Sequence, residues 1–222
     1  MIYEYPTIIV DGFFKDPLAV RDLAMGMEYV PSDVGTYSGR RTESLHITHI
    51  NFFREVCCKI LNCYSIPFSD YSASMHFHIT GGEFGNSGWV HTDSNKGQGS
   101  LLASIIYLNI DNNSIKNGTS IYKIINLNRD NSAIKEMKKS FITALDNKEL
   151  KEKHNQDYTP TVKVSNVFNR MVAYDARSPH AGSGYYGEEK ETSRLTLLTF
   201  FQSITTQDGL TTLQRTERYS DI

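Results

Sequence analysis

Residues 72–80 read Ser-Ala-Ser-Met-His-Phe-His-Ile-Thr, with polar and apolar side chains in strict alternation. Successive side chains of a β-strand point to opposite faces, so a period of two predicts a strand with one apolar and one polar face. The polar face carries His76 and His78, and it is the candidate for lining a cavity. The apolar face is expected to pack against a hydrophobic core; it consists of Ala73, Met75, Phe77 and Ile79.

A second segment, residues 88–94, reads Gly-Trp-Val-His-Thr-Asp-Ser and predicts a short strand that enters a polar loop. His91 and Asp93 are two positions apart, so their side chains share a face and can offer one nitrogen and one oxygen to a metal. A third ligand is available from His180, where an apolar strand runs into a turn bounded by proline and glycine. Two histidines and one carboxylate form the facial triad that is typical of non-haem Fe(II) sites.

Further motifs follow in order along the chain. Tyr-Leu-Asn stands at 107–109 and Asn-Gly-Thr at 117–119, and Arg-x-Thr stands at 194–196 on a strand after His180. Together with the histidines and the carboxylate, this ordered set resembles the iron(II)- and 2-oxoglutarate-dependent dioxygenase superfamily, in particular its prolyl-4-hydroxylase-like branch. The resemblance covers roughly residues 72–204.

The sequence departs from the family pattern at two places. His78 stands where the family's Tyr-x-x-Gly stretch has its tyrosine, and Arg194 follows His180 by 14 positions, where the family commonly has about ten. A longer hairpin between the two strands can absorb the added residues.

The resemblance implies a mainly β (α+β) fold, a double-stranded β-helix or jelly-roll barrel with N-terminal buttressing helices and a helical insert. It implies that His91, Asp93 and His180 are the catalytic residues and the Fe(II) ligands, and that 2-oxoglutarate is the cosubstrate. Arg194 and Thr196 would bind the distal carboxylate of 2-oxoglutarate. His78 and Tyr107 are further candidates for the cosubstrate site, and ascorbate is a further candidate cofactor.

The implied activity is hydroxylation of a peptidyl or small amino-acid-like substrate by O₂, with release of succinate and CO₂. Halogenases of the superfamily have a small residue in place of the carboxylate ligand, so Asp93 favours hydroxylation. The alternatives are a nucleic-acid demethylase of the same superfamily, a jelly-roll protein that binds metal without catalysis, and a hydrolytic zinc site with the same three ligands.

Composition restricts the partners. The chain has 23 basic and 25 acidic residues, a formal charge of −2, which argues against attraction to nucleic acid or to an anionic membrane surface. It has no apolar run long enough to span a bilayer and no signal-peptide pattern at its start. Three cysteines crowd one predicted helix and do not suggest a disulfide framework. We therefore expect a cytoplasmic location and a small-molecule or peptide substrate, with monomer and homodimer both open.

We expect one dioxygenase domain over residues 1–222. Its parts are an N-terminal strand and helices at 1–71, a jelly-roll core at 72–204 with an insert at 126–160, and a tail at 205–222. The insert predicts two helices, at 132–145 and 147–154, and is the candidate for a lid that shapes the substrate site, with His154 exposed to solvent. Arg40 and Arg41 lie in a predicted loop, where paired arginines usually point to solvent; contact with an anionic ligand is the alternative.

Overall fold

A computed structural model of the chain describes residues 5–31, 37–65, 67–85, 88–95, 98–110, 114–126 and 148–206. The strands are β1 (Ile8–Val10), β2 (Val30–Pro31), β3 (Arg40–Arg41), β4 (Phe68–Thr80), β5 (Ser94–Asn95), β6 (Gln98–Gly99), β7 (Leu102–Tyr107), β8 (Ser114–Ile124), β9 (Tyr158–Asn166), β10 (Met171–Asp175), β11 (His180–Gly182) and β12 (Arg194–Thr206). The helices are α1 (Pro17–Gly26), α2 (Leu45–Thr48), α3 (Ile50–Asn62) and α4 (Lys148–Asn155), with a 3₁₀ turn at Gly82–Phe84.

Two antiparallel sheets organise these strands. The larger has seven strands in the order β1-β10-β7-β12-β4-β3-β2, and the smaller has the order β11-β8-β9; β5 and β6 form a separate two-stranded pair. The alternating stretch at 72–80 belongs to β4, which pairs with β12 along almost its whole length. Neighbours in the larger sheet are often distant in sequence, as in a jelly roll. The predicted mainly β jelly-roll fold is confirmed.

The larger sheet has a hydrophobic core on each face. In β7, Leu102 and Ile106 belong to one cluster of buried residues, whereas Ala103, Ile105 and Tyr107 belong to the other. A strand buried on both sides needs apolar residues at consecutive positions, which accounts for the nearly continuous apolar run in this part of the sequence. One cluster joins the sheet to the helices, and the other joins it to the smaller sheet.

The N-terminal helices cover the outer face of the larger sheet. Helix α1 begins at a capped end, because the amide of Ala19 donates to Oδ1 of Asp16 at 3.0 Å and Pro17 occupies the first turn. Helix α3 turns one apolar face toward the sheet, with Phe53, Val56, Cys57, Ile60 and Leu61 buried. No helix in the described part of the chain is both long and apolar enough to cross a membrane.

The insert is described only in part. The predicted helix at 132–145 lies outside the described residues, as does most of the tail, 207–222. The second predicted helix corresponds to α4. The expectation that His154 is exposed was wrong: only 6% of the residue is accessible, because α4 packs against the segment that carries His91. The division of the chain at 71, 126, 160 and 204 stays a prediction.

Candidate active site

Two histidines face each other across adjacent chain segments. His91 and His180 form an isolated antiparallel bridge, with N–H···O distances of 3.0 Å from His91 to His180 and 2.8 Å in the reverse direction. Residues directly opposite each other in an antiparallel pair have side chains on the same face, so the backbone pairing itself brings the two imidazoles together. Their ring centroids are 4.4 Å apart.

Asp93 completes the group. Its amide donates to the carbonyl of Ala176 at 2.8 Å, which fixes the loop beside His180. Its Oδ1 lies 3.5 Å from Nε2 of His91, and its Oδ2 lies 3.3 Å from Nε2 of His180. The three side chains are the one set in the described residues whose ligand atoms converge within 4.8 Å in this manner.

The orientation of both rings is set by the backbone. Nδ1 of His91 lies 2.8 Å from the carbonyl oxygen of Trp89, and Nδ1 of His180 lies 3.0 Å from that of Ser178. A carbonyl can only accept, so each Nδ1 carries a hydrogen and Nε2 is the nitrogen of each ring that is turned toward Asp93.

These atoms fit a metal ion. Two imidazole lone pairs and a carboxylate converge, and Oδ2 of Asp93 is buried with no hydrogen-bond partner. Burial raises the pKa of Asp93, whereas hydrogen bonding and charge from the adjacent His180 and His91 lower it, so the carboxylate is ionised. A carboxylate and two ring nitrogens that meet at one point need a cation between them, either a ring proton or, with both Nε2 atoms unprotonated, a metal ion. Nitrogen and oxygen ligands in this number suit Fe(II) or another first-row metal.

The three side chains open into a cavity of about 620 Å³ between the two sheets. Arg194 lines it and is 3% exposed, and its guanidinium makes long hydrogen bonds, 3.4 Å to the carbonyl of Asn117 and 3.5 Å to that of Gly118. No ion pair joins it to any described carboxylate; Glu188 and Glu189 in the preceding hairpin are exposed. The aromatic side chains in the wall are Tyr37, Trp89, Tyr158, Tyr174, Tyr185 and Phe200.

The other predicted cosubstrate residues lie near Arg194 at different depths. His78 lines the cavity, and its Nε2 lies 2.6 Å from the carbonyl oxygen of Ser38; burial holds its pKa well below the ordinary value, so the ring is neutral. Thr196 is fully buried and donates a long bond, 3.5 Å, to the carbonyl of His78. Neither Thr196 nor Tyr107 is part of the cavity wall.

Tyr107 instead supports Arg194 from the side. Its ring centroid lies 5.6 Å from Cζ of Arg194, and its hydroxyl donates to Oγ1 of Thr119 at 2.8 Å. Burial raises the pKa of this hydroxyl, so it stays protonated. His76, also on the polar face of β4, contacts the carbonyl of Thr42 and does not line the cavity.

Sequence analysis missed the contribution of α4. Nε2 of His154 lies 2.7 Å from the carbonyl oxygen of Val90, and the carboxamide of Asn155 accepts from the amide of Val90 at 2.9 Å and donates to the carbonyl of Gly88 at 3.0 Å. The side chain of Asn155 therefore supplies the hydrogen bonds that a neighbouring strand would otherwise make to the segment before His91. A charged, strongly polar helix gives no sequence signal for such a contact.

Comparison with known proteins agrees with this geometry. A model of the family described as "Family of unknown function (DUF6445)" matches residues 3–201. The chain belongs to that family. No curated protein matches the sequence.

Several solved structures share the fold of this family member. They include a prolyl hydroxylase from Trichoplax adhaerens in complex with a hypoxia inducible factor peptide fragment (TM-score 0.52, 14% identity, 97% of this chain and 87% of that one). HygX from Streptomyces hygroscopicus, solved with nickel and 2-oxoglutarate, gives a TM-score of 0.53 at 9% identity over 90% of this chain and 84% of that one. The alpha ketoglutarate dependent carbocyclase SnoK gives 0.50 at 10% identity over 97% and 86%.

At these identities the likeness concerns the fold. The predicted resemblance to the iron(II)/2-oxoglutarate-dependent dioxygenase superfamily, with its prolyl-4-hydroxylase-like branch, is confirmed at that level.

Proposed function

We propose that the protein is an Fe(II)- and 2-oxoglutarate-dependent dioxygenase that hydroxylates a peptidyl or small amino-acid-like substrate. The observation that carries the proposal is the coincidence, in one cavity, of a metal-ligating group and a buried arginine without a carboxylate partner in the described residues. A metal-binding protein needs only the first feature. An enzyme that binds a dicarboxylate cosubstrate beside its metal needs both.

His91, Asp93 and His180 would hold the metal through two Nε2 atoms and the carboxylate. When bound, Fe(II) with 2-oxoglutarate and O₂ would supply the oxidising power for hydroxylating an unactivated C–H bond, with release of succinate and CO₂. The carbonyls of Trp89 and Ser178 accept from the Nδ1 hydrogens, so Nε2 is the nitrogen of each ring that would bind the metal.

Arg194 would bind the distal carboxylate of 2-oxoglutarate. The guanidinium presents a planar fork that matches a carboxylate, and its burial strengthens the pair because little water competes. Tyr107 contacts the guanidinium from one side and Tyr185, with its centroid 5.8 Å from Cζ, lies near it as well. These two aromatic side chains orient the arginine from the side. His78 adds a neutral polar side chain to this side of the cavity, whereas Thr196 is buried outside the cavity wall.

The alternatives predict different behaviour. A hydrolytic zinc site would use the triad but has no need of Arg194, and a purely structural metal site has no need of the cavity. A nucleic-acid demethylase is disfavoured by the formal charge of −2. Ascorbate, the substrate and the cellular location stay predictions.

The test is the Fe(II)-dependent conversion of 2-oxoglutarate to succinate by the purified protein, measured alone and with panels of peptides, free amino acids and methylated nucleic acids. We expect succinate to form and one substrate class to stimulate its formation.

Asp93→Asn should abolish succinate formation and weaken metal binding at least about 100-fold, since changes to residues that only support a ligand already cost about 10–100-fold in metal affinity. Asp22→Asn, exposed on α1, is the control. Tight zinc binding without any succinate formation would contradict the proposal.

A further inference from the structure

A second arginine, Arg41, lies in the wall of the cavity into which the three candidate ligands open. Arg41 is in β3, directly opposite His78 of β4, which is itself opposite Thr196 of β12. Residues in one row across a sheet share a face, so Arg41 points toward the cavity, and it is part of the cavity wall. Arg40, its neighbour in β3, belongs to the opposite face and is exposed.

The guanidinium of Arg41 is held by rings. Its Cζ lies 3.9 Å from the ring centroid of Tyr37 and 5.5 Å from that of Phe200. Contacts with aromatic faces orient a guanidinium without using its N–H donors. Its Nε is buried with no hydrogen-bond partner, and no carboxylate in the described residues forms an ion pair with it. A pre-oriented, largely desolvated cation is costly unless an anion pairs with it.

We propose that Arg41 binds an anionic group of the primary substrate, an organic carboxylate, so that the remainder of the substrate lies along the aromatic wall toward the triad. This inference rests on the proposed function. A single guanidinium fork matches one carboxylate with two parallel hydrogen bonds and balances its one negative charge, whereas a phosphate group carries about −1.5 to −2 and would exceed the charge of one arginine. The other arginine in the described cavity wall is Arg194.

The two arginines have separate tasks in this scheme. Arg194, the first residue of β12, is 3% exposed and already contacts the carbonyls of Asn117 and Gly118 in β8. Arg41 lies in β3, opposite His78, and lines the same cavity as the three candidate ligands. 2-Oxoglutarate has one carboxylate left for an arginine when the other binds beside the metal, and Arg194 takes it. Arg41 is then available to a second anion.

The chain contains a single tryptophan, Trp89, and it lines the cavity. Its fluorescence therefore reports ligands there. The experiment titrates phenylacetate, and its neutral isostere phenylacetamide, into the protein loaded with Mn(II) and saturating 2-oxoglutarate. Phenylacetate suits both the aromatic wall and the guanidinium. The variants are Arg41→Gln, Arg41→Lys and the matched control Arg40→Gln. Each is also tested for Mn(II) affinity, and the titrations are repeated without metal and 2-oxoglutarate.

We expect phenylacetate to bind at least about tenfold more tightly than phenylacetamide. Arg41→Gln should remove this preference without changing the affinity for Mn(II). Arg40→Gln should bind both probes as the wild type does. Arg41→Lys should retain part of the preference. Equal binding of acid and amide would overturn the inference. So would loss of Mn(II) affinity in Arg41→Gln, which would indicate a structural role, or displacement of phenylacetate by 2-oxoglutarate, which would place the probe at Arg194.

The same measurements separate the two proposals. If 2-oxoglutarate does not bind, but phenylacetate binding still depends on Arg41, the proposed function fails and the anion site stands. If 2-oxoglutarate binds and the charge of the probe has no effect, the inference alone fails.

Discussion

At the scale of single residues, the site depends on how backbone carbonyls orient the two histidine rings and on a carboxylate oxygen that has no hydrogen-bond partner. The imidazoles of His91 and His180 each direct a hydrogen to a backbone carbonyl, and Oδ2 of Asp93 is buried without a donor. An unpaired buried polar atom is rare and costly in proteins, so one that lies beside two ring nitrogens indicates a bound partner. Among the cations, the same reasoning applies to the buried Nε of Arg41.

Arg194→Ala should raise the Kd for 2-oxoglutarate by about 100-fold, because removing one member of a desolvated charge pair costs roughly 2–5 kcal/mol. Metal affinity should change little, since Arg194 is not a ligand. The measurement is 2-oxoglutarate binding to the Mn(II)-loaded protein by calorimetry, with Arg54→Ala, exposed on α3, as the control. An unchanged Kd combined with a lower melting temperature would mean that Arg194 serves stability alone.

The sequence allowed the prediction of some of these residues and not of others. The pattern was sufficient for Arg194 and Thr196, which both belong to β12. The strand predicted at 88–94 is only an isolated bridge at His91, and Asp93 reaches the histidines through the hydrogen bond of its amide to Ala176, a tertiary contact. Arg41 lies in a strand of two residues, too short for any period to appear. Its burial results from pairing with β4 and from the rings of Tyr37 and Phe200, which are tertiary contacts.

At the scale of elements, α4 and β8 each support the site from outside the triad. Helix α4 belongs to an insert whose sequence is highly polar, yet Lys151 and His154 are buried in it. The helix packs on the segment before His91, and Lys151 donates to the carbonyl of Phe84 at 3.4 Å. Strand β8 pairs with both β11 and β9, so it connects the strand of His180 to the rest of the smaller sheet.

Asn155→Ala should destabilise the protein by about 1–3 kcal/mol, because it leaves the amide of Val90, a residue only 1% exposed, without an acceptor. Metal affinity should fall as well, by about 10-fold, since the segment that orients His91 is freed on one side. Urea denaturation and metal titration measure the two effects. Gln156→Ala, exposed at the next position, is the matched control and should behave as wild type. Full metal affinity in Asn155→Ala would show that α4 does not position the ligand.

Gly118→Ala tests the close approach of β8 to β9. A Cβ at this glycine would lie 1.7 Å from the carbonyl oxygen of Val164, a backbone atom that cannot move without breaking the pairing. We expect a loss of about 3 kcal/mol or more in the free energy of unfolding, measured in urea. The carbonyl of Gly118 also contacts Arg194, so 2-oxoglutarate binding should weaken. Gly26→Ala, where a Cβ meets nothing within 4 Å, is the control; equal stability of the two variants would contradict the packing argument.

At the scale of the whole molecule, the two faces of the larger sheet differ: one packs against the helices, and the other lines the cavity. Its outer face packs against the N-terminal helices through apolar residues, and its inner face carries Arg194, His78 and Arg41 beside an apolar cluster shared with the smaller sheet. Strand alternation in β4 and β12 produces both faces at once. The triad lies at the smaller sheet, where His180 of β11 pairs with His91. A ligand in the cavity therefore contacts both sheets.

Because a metal with 2-oxoglutarate would join the two sheets, binding should stabilise the entire fold. A ligand that binds only the folded state at 100 times its Kd adds about 2.7 kcal/mol, which for a chain of this size corresponds to a rise in Tm of roughly 5–10 °C. We expect Mn(II) alone to raise the Tm, and 2-oxoglutarate to raise it further only when the metal is present, because one of its carboxylates binds beside the ion. Thermal unfolding of the protein with each ligand and with both measures this dependence.

In Asp93→Asn neither addition should raise the Tm, whereas in Arg194→Ala the metal should still raise it and 2-oxoglutarate should not. A shift with 2-oxoglutarate that is equally large without metal would contradict a shared site, since it would place the dicarboxylate on the arginines alone.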